Sequence, residues 1–314
     1  MELRVKHLIS SLFVLLDFLL ESLLLYMIIF KTPKAMTRFK VYLALLCVNS
    51  LSMSVCMGFI WQPDFLAPPL CVYRNGFFSS LVSNRVMISS VGALAIQQVQ
   101  TLLLSYYFVF SQTNYNVSSR TTFGCIASEI IFVAVPTVSI LVLMFYGESS
   151  PSYVQNHTIY SYRDYPNLAC YFIGDFHAGG TVNYAFGLSA SVAVFFAFSA
   201  GFLLVQIRRR LRNPPSYMSP YTLQLQRMFF MNVVVQSISP LLCVFFPVLS
   251  SFGYLVITKQ PLAALFFQFV PITSMFNSVV SSLLIIYLTK PYREYVLSQF
   301  KSWKVKIGEL SSSH

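Results

Sequence analysis

The stretch LISSLFVLLDFLLESLLLYMIIF, residues Leu8–Phe30, decides the fold. As a helix its 23 residues extend about 35 Å at 1.5 Å per residue, enough to cross a hydrocarbon core about 30 Å thick. Lys31–Thr32–Pro33–Lys34 closes it. Six more apolar stretches follow: Val41–Trp61, Val86–Phe110, Thr122–Tyr146, Val182–Val205, Met228–Ser250 and Pro261–Leu288. Without water at that depth, only helices or closed barrels satisfy their own backbone groups. The two-residue alternation of barrel strands is absent. The expectation is an all-α integral membrane bundle of seven transmembrane helices.

Composition agrees. Hydrophobic residues make up 56% of the 314 residues and charged residues 10%, against about 25% charged in soluble domains. Seven crossings use most of the chain, which leaves no room for a separate soluble domain. The net charge of +11 would suggest nucleic acid in a soluble protein. Here the basic residues flank apolar spans, which reads as topology and anionic-lipid contact, so nucleic acid is not an expected partner.

The basic residues also orient the chain. Lys31, Lys34, Arg38, Lys40, Arg120, Arg208, Arg209, Arg210, Arg212, Arg227, Lys290, Arg293, Lys301, Lys304 and Lys306 fall on one side, 15 of the 21. Arg4, Lys6, Arg74, Arg163 and Lys259 fall on the other, with Arg85 at the mouth of span three. Cytoplasmic loops collect positive charge, so the N-terminus is expected outside and the C-terminus inside. Arg4 and Lys6 flank span one from the opposing side. The division is then an extracellular N-terminus over residues 1–7, a receptor domain over 8–288 and a cytoplasmic helix and tail over 289–314. Span one is too long for a signal-peptide core and no small-x-small site follows it, so it reads as an uncleaved first helix.

Asn156–His157–Thr158 is a glycosylation acceptor in the outer loop between spans four and five. Asn116–Val117–Ser118 also fits the pattern, but on the inner side, where it should stay unmodified. Of the six cysteines, Cys47, Cys56, Cys125 and Cys243 lie within spans, where cysteine behaves as a small hydrophobe. Cys71 and Cys170 lie in outer loops. A bridge between them would pin the long loop over the bundle in an oxidising compartment; the alternative is two free thiols.

Ionisable groups inside the spans are few. Asp17 and Glu21 share one face of span one, Glu129 lies in span four and Arg85 at the outer end of span three. A charge at mid-bilayer costs about 2.5–3.5 kcal/mol on insertion scales, so these groups should point inward and find partners. They read either as ligand or ion contacts, with Arg85 pairing Asp17 or Glu21, or as protonated carboxyls bonded to Ser and Thr of neighbouring helices. The second reading is preferred. No catalytic constellation, phosphate loop or metal-ligand spacing occurs, so neither enzyme activity nor a cofactor is expected. Pro136, Pro240, Pro247 and Pro271 fall inside spans, where a proline can kink a helix whose freed carbonyl the bundle satisfies.

On the inner face, Arg208–Arg209–Arg210–Leu211–Arg212 continues span five until Pro214–Pro215. After span seven, residues 294–303 read as a short amphipathic helix. Its apolar face is Val296, Leu297, Phe300 and Trp303, suited to lying on an anionic leaflet.

With these features the chain resembles the G-protein-coupled receptors, and specifically the nematode serpentine chemoreceptors, closest to class h. The residues carrying the likeness are Lys31–Thr32–Pro33–Lys34–Ala35–Met36, Ser219–Pro220–Tyr221–Thr222–Leu223–Gln224–Leu225–Gln226–Arg227, Gln236 and Pro240, and Pro291–Tyr292–Arg293. These residues alone do not separate class h from its sister class i. The inner end of span three reads Leu104–Ser105–Tyr106–Tyr107–Phe108, without Asp-Arg-Tyr, and span seven has Asn277 without Asn-Pro-x-x-Tyr. The usual activation switch therefore cannot be carried over.

The resemblance implies a sensory receptor of the plasma membrane, a sensory cilium being one setting. It would bind a small chemical ligand from outside and signal through a heterotrimeric G protein. Arg208, Arg209, Arg210, Arg212 and Arg227 would face that protein, and span six would pivot near Pro240. A ligand-gated channel or small carrier is the alternative, but no pore-lining polar stripe is evident. Ligand and oligomeric state are not legible.

If Asn156 is lumenal, deglycosylation of membrane-made protein shifts its mass, and Asn156→Gln abolishes that shift. A shift that depends on Asn116 would invert the topology.

Overall fold

Apolar length becomes helix wherever the backbone is described. The computed structural model describes residues 2–32, 37–66, 70–74, 83–113, 131, 134–135, 137–148, 151–158, 168–171, 181–214, 218–246, 250 and 262–299. Span one is the helix Glu2–Phe30, and span two is Thr37–Val55 continued by a π-helical segment Cys56–Trp61. Span three is Asn84–Thr113 and span five is Thr181–Arg212. Span six is Pro220–Pro240 continued by the π-helical segment Leu241–Phe245, and span seven is Leu262–Leu288. Five of the helices are long and apolar enough to cross a membrane, span six not among them. Of span four, the helix Thr137–Tyr146 is described, while Glu129 and Pro136 lie outside the described residues.

Several helices outrun the apolar runs that announce them. Span five has 32 residues, about 48 Å of helix, so its basic end projects past the hydrocarbon. Span six begins eight residues before Met228, and its start has a local cause. Ser219 is the N-cap, its hydroxyl accepting from the Thr222 backbone N–H at 3.2 Å, and Pro220 occupies the first turn, where a missing N–H costs nothing. The Ser219–Pro220–Tyr221–Thr222 motif is thus a helix-start signal.

Span one packs on spans two and seven, span two on three, span three on five and six, and span six on seven. The inner core gathers Leu24, Met27 and Ile28 with Phe39, Tyr106, Ile207 and Phe229; the Phe39 and Phe229 rings stack with centroids 4.3 Å apart. At the end of the bundle expected to lie outside, called the outer end with its opposite the inner, Gly58 lets spans one, two and seven approach closely. A Cβ there would sit 2.6 Å from Met275 Cε and would also collide with Val14. The π segment around Gly58 ends at Gln62, whose φ of 43° is left-handed, and its side-chain amide returns to Gly58 O at 2.8 Å. Large apolar side chains such as Leu12, Leu15, Phe198 and Phe202 face away from the bundle, as lipid contact requires.

The outer surface carries a small antiparallel sheet in the order β1 (Pro63–Leu66), β2 (Leu70–Arg74) and β3 (Ala169–Tyr171). Its register sets Cys71 directly opposite Cys170, and the two form a disulfide. Both are fully buried, against Val154 and Leu168. Trp61 ties this roof to the bundle by donating to Asn84 Oδ1 at 2.9 Å, while Asn84 donates to Val72 O.

The inner surface is closed by a helix over residues 290–299. Tyr292 is completely buried, with its hydroxyl 2.7 Å from that of Thr32. Lys31 lies 4.7 Å from the centroid of the Tyr295 ring, which in turn packs against Tyr26. Leu297, expected with Val296 on the face that lies on the leaflet, is 53% exposed, while Tyr292, Tyr295 and Val296 pack against span one and the inner core. Phe300 and Trp303 lie outside the described residues.

Burial pushes the Tyr292 phenol above its ordinary value near 10, an effect partly offset by the Thr32 hydroxyl. A folded-state value raised in this way contributes stability that is present below about pH 10 and lost as pH rises through it. Tyr292→Phe should therefore lower stability by about 0.5–1.5 kcal/mol at neutral pH, for the lost hydrogen bond, and shrink the alkaline loss. Thermal unfolding from pH 7 to 11 reads both; an unchanged alkaline slope would exclude Tyr292 as its source.

Candidate functional site

Two carboxyls on span one organise the middle of the bundle. Asp17 and Glu21, four residues apart on one face, are 0% and 2% exposed. Glu21 Oε1 accepts from Ser282 Oγ at 2.8 Å and from Ser278 Oγ at 3.0 Å, and its Oε2 accepts from Cys47 Sγ at 2.6 Å. Since Ser278 spends its proton on Glu21, the 2.7 Å contact between Ser50 and Ser278 is a bond donated by Ser50. The relay Ser50→Ser278→Glu21 therefore joins spans two, seven and one. Asp17 differs, for neither of its oxygens has a hydrogen-bond partner. Ser54 and Ser278 place hydroxyls beside it.

Serine hydroxyls from a neighbouring helix are the partners expected for Glu21. Asp17 lacks such bonds, and Arg85 reaches neither carboxyl. Instead Arg85 forms an ion pair with Glu148, at the outer end of span three. The Glu148 charge and burial together raise the phenol of Tyr171 above its usual value, burial being the larger cause and Arg85 opposing both. This outer cluster and the Glu21 cluster are separate.

Beside Glu21 is a cavity of about 20 Å³ whose lining comes from spans one, two, three, six and seven. Gln236 brings span six to it, with Oε1 buried and unpartnered. A space of that size holds about one water, far less than a drug-sized ligand needs. Span six is held to its neighbours on either side of Gln236. Asn232 Nδ2 donates to Thr289 Oγ1 at 2.9 Å, and Ser239 Oγ donates to Asn277 Oδ1 at 2.5 Å. Pro240 follows at once. Its missing N–H and bulky ring disturb the regular ladder there, and the chain continues as π-helix over Leu241–Phe245.

At the inner rim, Arg208, Arg209 and Arg212 are exposed. Arg210 lies over the Phe110 ring at 5.2 Å, and Arg227 Nη2 donates to Leu211 O at 3.2 Å. The last contact joins the inner ends of spans five and six. Asn156 is exposed on the short outer helix Pro151–His157.

Sequence reasoning singled out Asp17, Glu21 and Gln236, which the fold brings around one small polar core, and Asn277, which borders it. It missed Cys47, Ser50, Ser278 and Ser282. One signal was available: Ser278 and Ser282 repeat on span seven the four-residue spacing of Asp17 and Glu21 on span one. It also missed that Thr32 and Tyr292, from two of the motifs carrying the family likeness, touch each other.

Apolar membrane-length helices, a disulfide-stapled roof and a helix docked on span one make a multi-pass membrane helical bundle. The family model described as serpentine type 7TM GPCR chemoreceptor Srh matches residues 5–302, and the chain belongs to that family. Among curated proteins there is no match.

Proposed function

We propose that this receptor binds a small chemical ligand from the outer side, among spans three, five, six and seven, and passes the signal to a heterotrimeric G protein at the inner rim. In this reading residues 1–7 are extracellular, 8–288 form the receptor domain and 289–314 are cytoplasmic. The receptor stands in the plasma membrane, a sensory cilium included, with anionic lipid against its basic inner face and a glycan on Asn156. The observation that carries it is the closed contact between Arg227 and Leu211. Span five ends in the densest run of positive charge, Arg208, Arg209, Arg210 and Arg212, and the Arg227 side chain ties the start of span six to it. Such ends separate when a receptor admits a partner.

The rest of the mechanism follows from where span six is held. Asn232 and Gln236 lie on the inner side of Pro240, in regular helix, whereas the π segment lies on the outer side. A ligand pressing on the outer part would bias the inner part through this hinge, provided it binds the two arrangements with different affinity. Exposed Arg208, Arg209 and Arg212 would then give a docking helix of the partner its charge-assisted hydrogen bonds.

Two variants separate the roles. Arg227→Ala removes the tie, worth about 1 kcal/mol, and should raise basal second-messenger output roughly fivefold at equal surface expression. Arg208→Gln, Arg209→Gln and Arg212→Gln combined should lower the output evoked by a small-molecule panel without lowering surface level. Unchanged basal output in the first and undiminished evoked output in the second would remove these arginines from coupling. Ligand-evoked current without any G protein would favour the channel.

A further inference from the structure

The outer end of span three sets a charge pair beside buried hydroxyls that lack acceptors. Arg85 pairs there with Glu148, which follows the span-four helix Thr137–Tyr146. Beside the pair stands Tyr171 of β3, 3% exposed, which with Ala169 packs against Ile88 and Met144. Its hydroxyl is buried and has no hydrogen-bond partner among the described residues. Burial raises the phenol, Glu148 adds to the rise and Arg85 opposes it, so both charges act on that hydroxyl. One turn deeper, on the face of span three that carries Arg85, the Ser89 hydroxyl is also buried and without a partner among the described residues. A buried hydroxyl left in this way keeps the cost of its desolvation. A guanidinium only donates, and each hydroxyl has a proton to give, so what this place is short of is an anionic acceptor. Glu148 supplies one to Arg85 alone. It is tethered through Gly147, whose N–H turns back to Met144 O at 3.3 Å, and it does not bond Tyr171.

We propose that the Arg85–Glu148 pair is an anion site filled by the protein's own carboxylate, and that the ligand is a small carboxylic acid with an apolar body. Its carboxylate takes the place of Glu148 on Arg85 and accepts from the Tyr171 hydroxyl. This names the class of the ligand and so rests on the receptor reading. The room it needs is the room that the Glu148 carboxylate now fills. The exchange is open to solvent, since the Arg85 side chain is 48% exposed and that of Glu148 16%, and a partly exposed ion pair is weak. A free carboxylate has two oxygens and no tether, so it can serve two donors where Glu148 serves one, and the planar fork of an arginine suits it. Ile88 and Met144 offer the apolar body a surface. An ammonium ligand on Glu148 would instead leave Arg85 without a counter-charge. Displacing Glu148 also frees the end of span four, and Thr181 at the start of span five donates to Tyr146 O at 3.4 Å, which carries the exchange to span five.

The test uses the purified full-length chain in lipid nanodiscs, with thermal unfolding followed at fixed pH and ionic strength as chloride is replaced by acetate, butanoate, hexanoate or octanoate. At least one acid should give a saturable rise in Tm of about 3 °C or more, and hexanol and hexylamine none. Arg85→Gln should abolish the rise. Tyr171→Phe should raise the half-saturating concentration about tenfold or more, for the lost bond to a charged acceptor. Glu148→Gln should lower it about two- to fivefold, because it removes the competing carboxylate. Should Arg85→Gln fail to fold, these two opposite shifts decide. No rise with any of the acids, a rise that survives Arg85→Gln, or half-saturation unmoved by both Tyr171→Phe and Glu148→Gln overturns the site. A rise with hexylamine that Glu148→Gln abolishes assigns the pair to a cationic ligand and likewise overturns it. An Arg85-dependent rise in a chain that evokes no second-messenger response to any acid would contradict the receptor reading and leave the site standing. A second-messenger response to a small-molecule panel that Arg85→Gln leaves undiminished would overturn the site and leave the receptor reading standing.

Discussion

The structure turns on one buried carboxyl group. Placing Glu21 inside an apolar span costs about 2.5–3.5 kcal/mol by itself on insertion scales, and lipid offers no group to recover it. The three donors it meets come from two other helices, Cys47 on span two and Ser278 and Ser282 on span seven. Lipid tails are as apolar as leucine, so a general hydrophobic drive cannot set how these helices meet. A polar group with specific partners can. Glu21 therefore fixes the rotation and depth of span one against spans two and seven. Gly58 makes that meeting close, since any side chain there would strike Val14 and Met275.

From this fixed trio the rest of the bundle follows in order of decreasing constraint. Span three packs on span two, and the disulfide roof joins its outer end through Asn84 and Trp61. The inner helix is anchored on span one by Thr32, Lys31 and Tyr26. Span six is held differently. Among the described residues it packs on spans three and seven, Asn232 and Ser239 bond it to the span-seven side, Arg227 bonds it to span five, and its helical ladder changes register after Pro240.

Helix positions were legible because apolar length in a membrane leaves the backbone no alternative. The pairing of Cys71 with Cys170 was legible for a related reason, since they are the only cysteines outside the spans. Inward-facing Asp17 and Glu21 were legible from cost alone. Their partners were not. Ser278 is 257 residues from Glu21, and nothing local in span seven says which helix its hydroxyl faces. The pairing of Arg85 was open for the same reason, because several acids lie near the outer surface and only the fold selects Glu148. Thr32 and Tyr292, 260 residues apart, are the sharpest case. Each belongs to a recognisable motif, and their contact gives both motifs a physical reason: together they fasten the inner helix to the end of span one.

The bond between Glu21 and the span-seven serines specifies how span one meets span seven. A double-mutant cycle on unfolding stability in lipid, using Glu21→Gln, Ser282→Ala and the double variant, measures it directly. Glu21 and Ser282 should couple by about 1–3 kcal/mol, within the range for residues that share a hydrogen bond. Additivity within about 0.5 kcal/mol would contradict it.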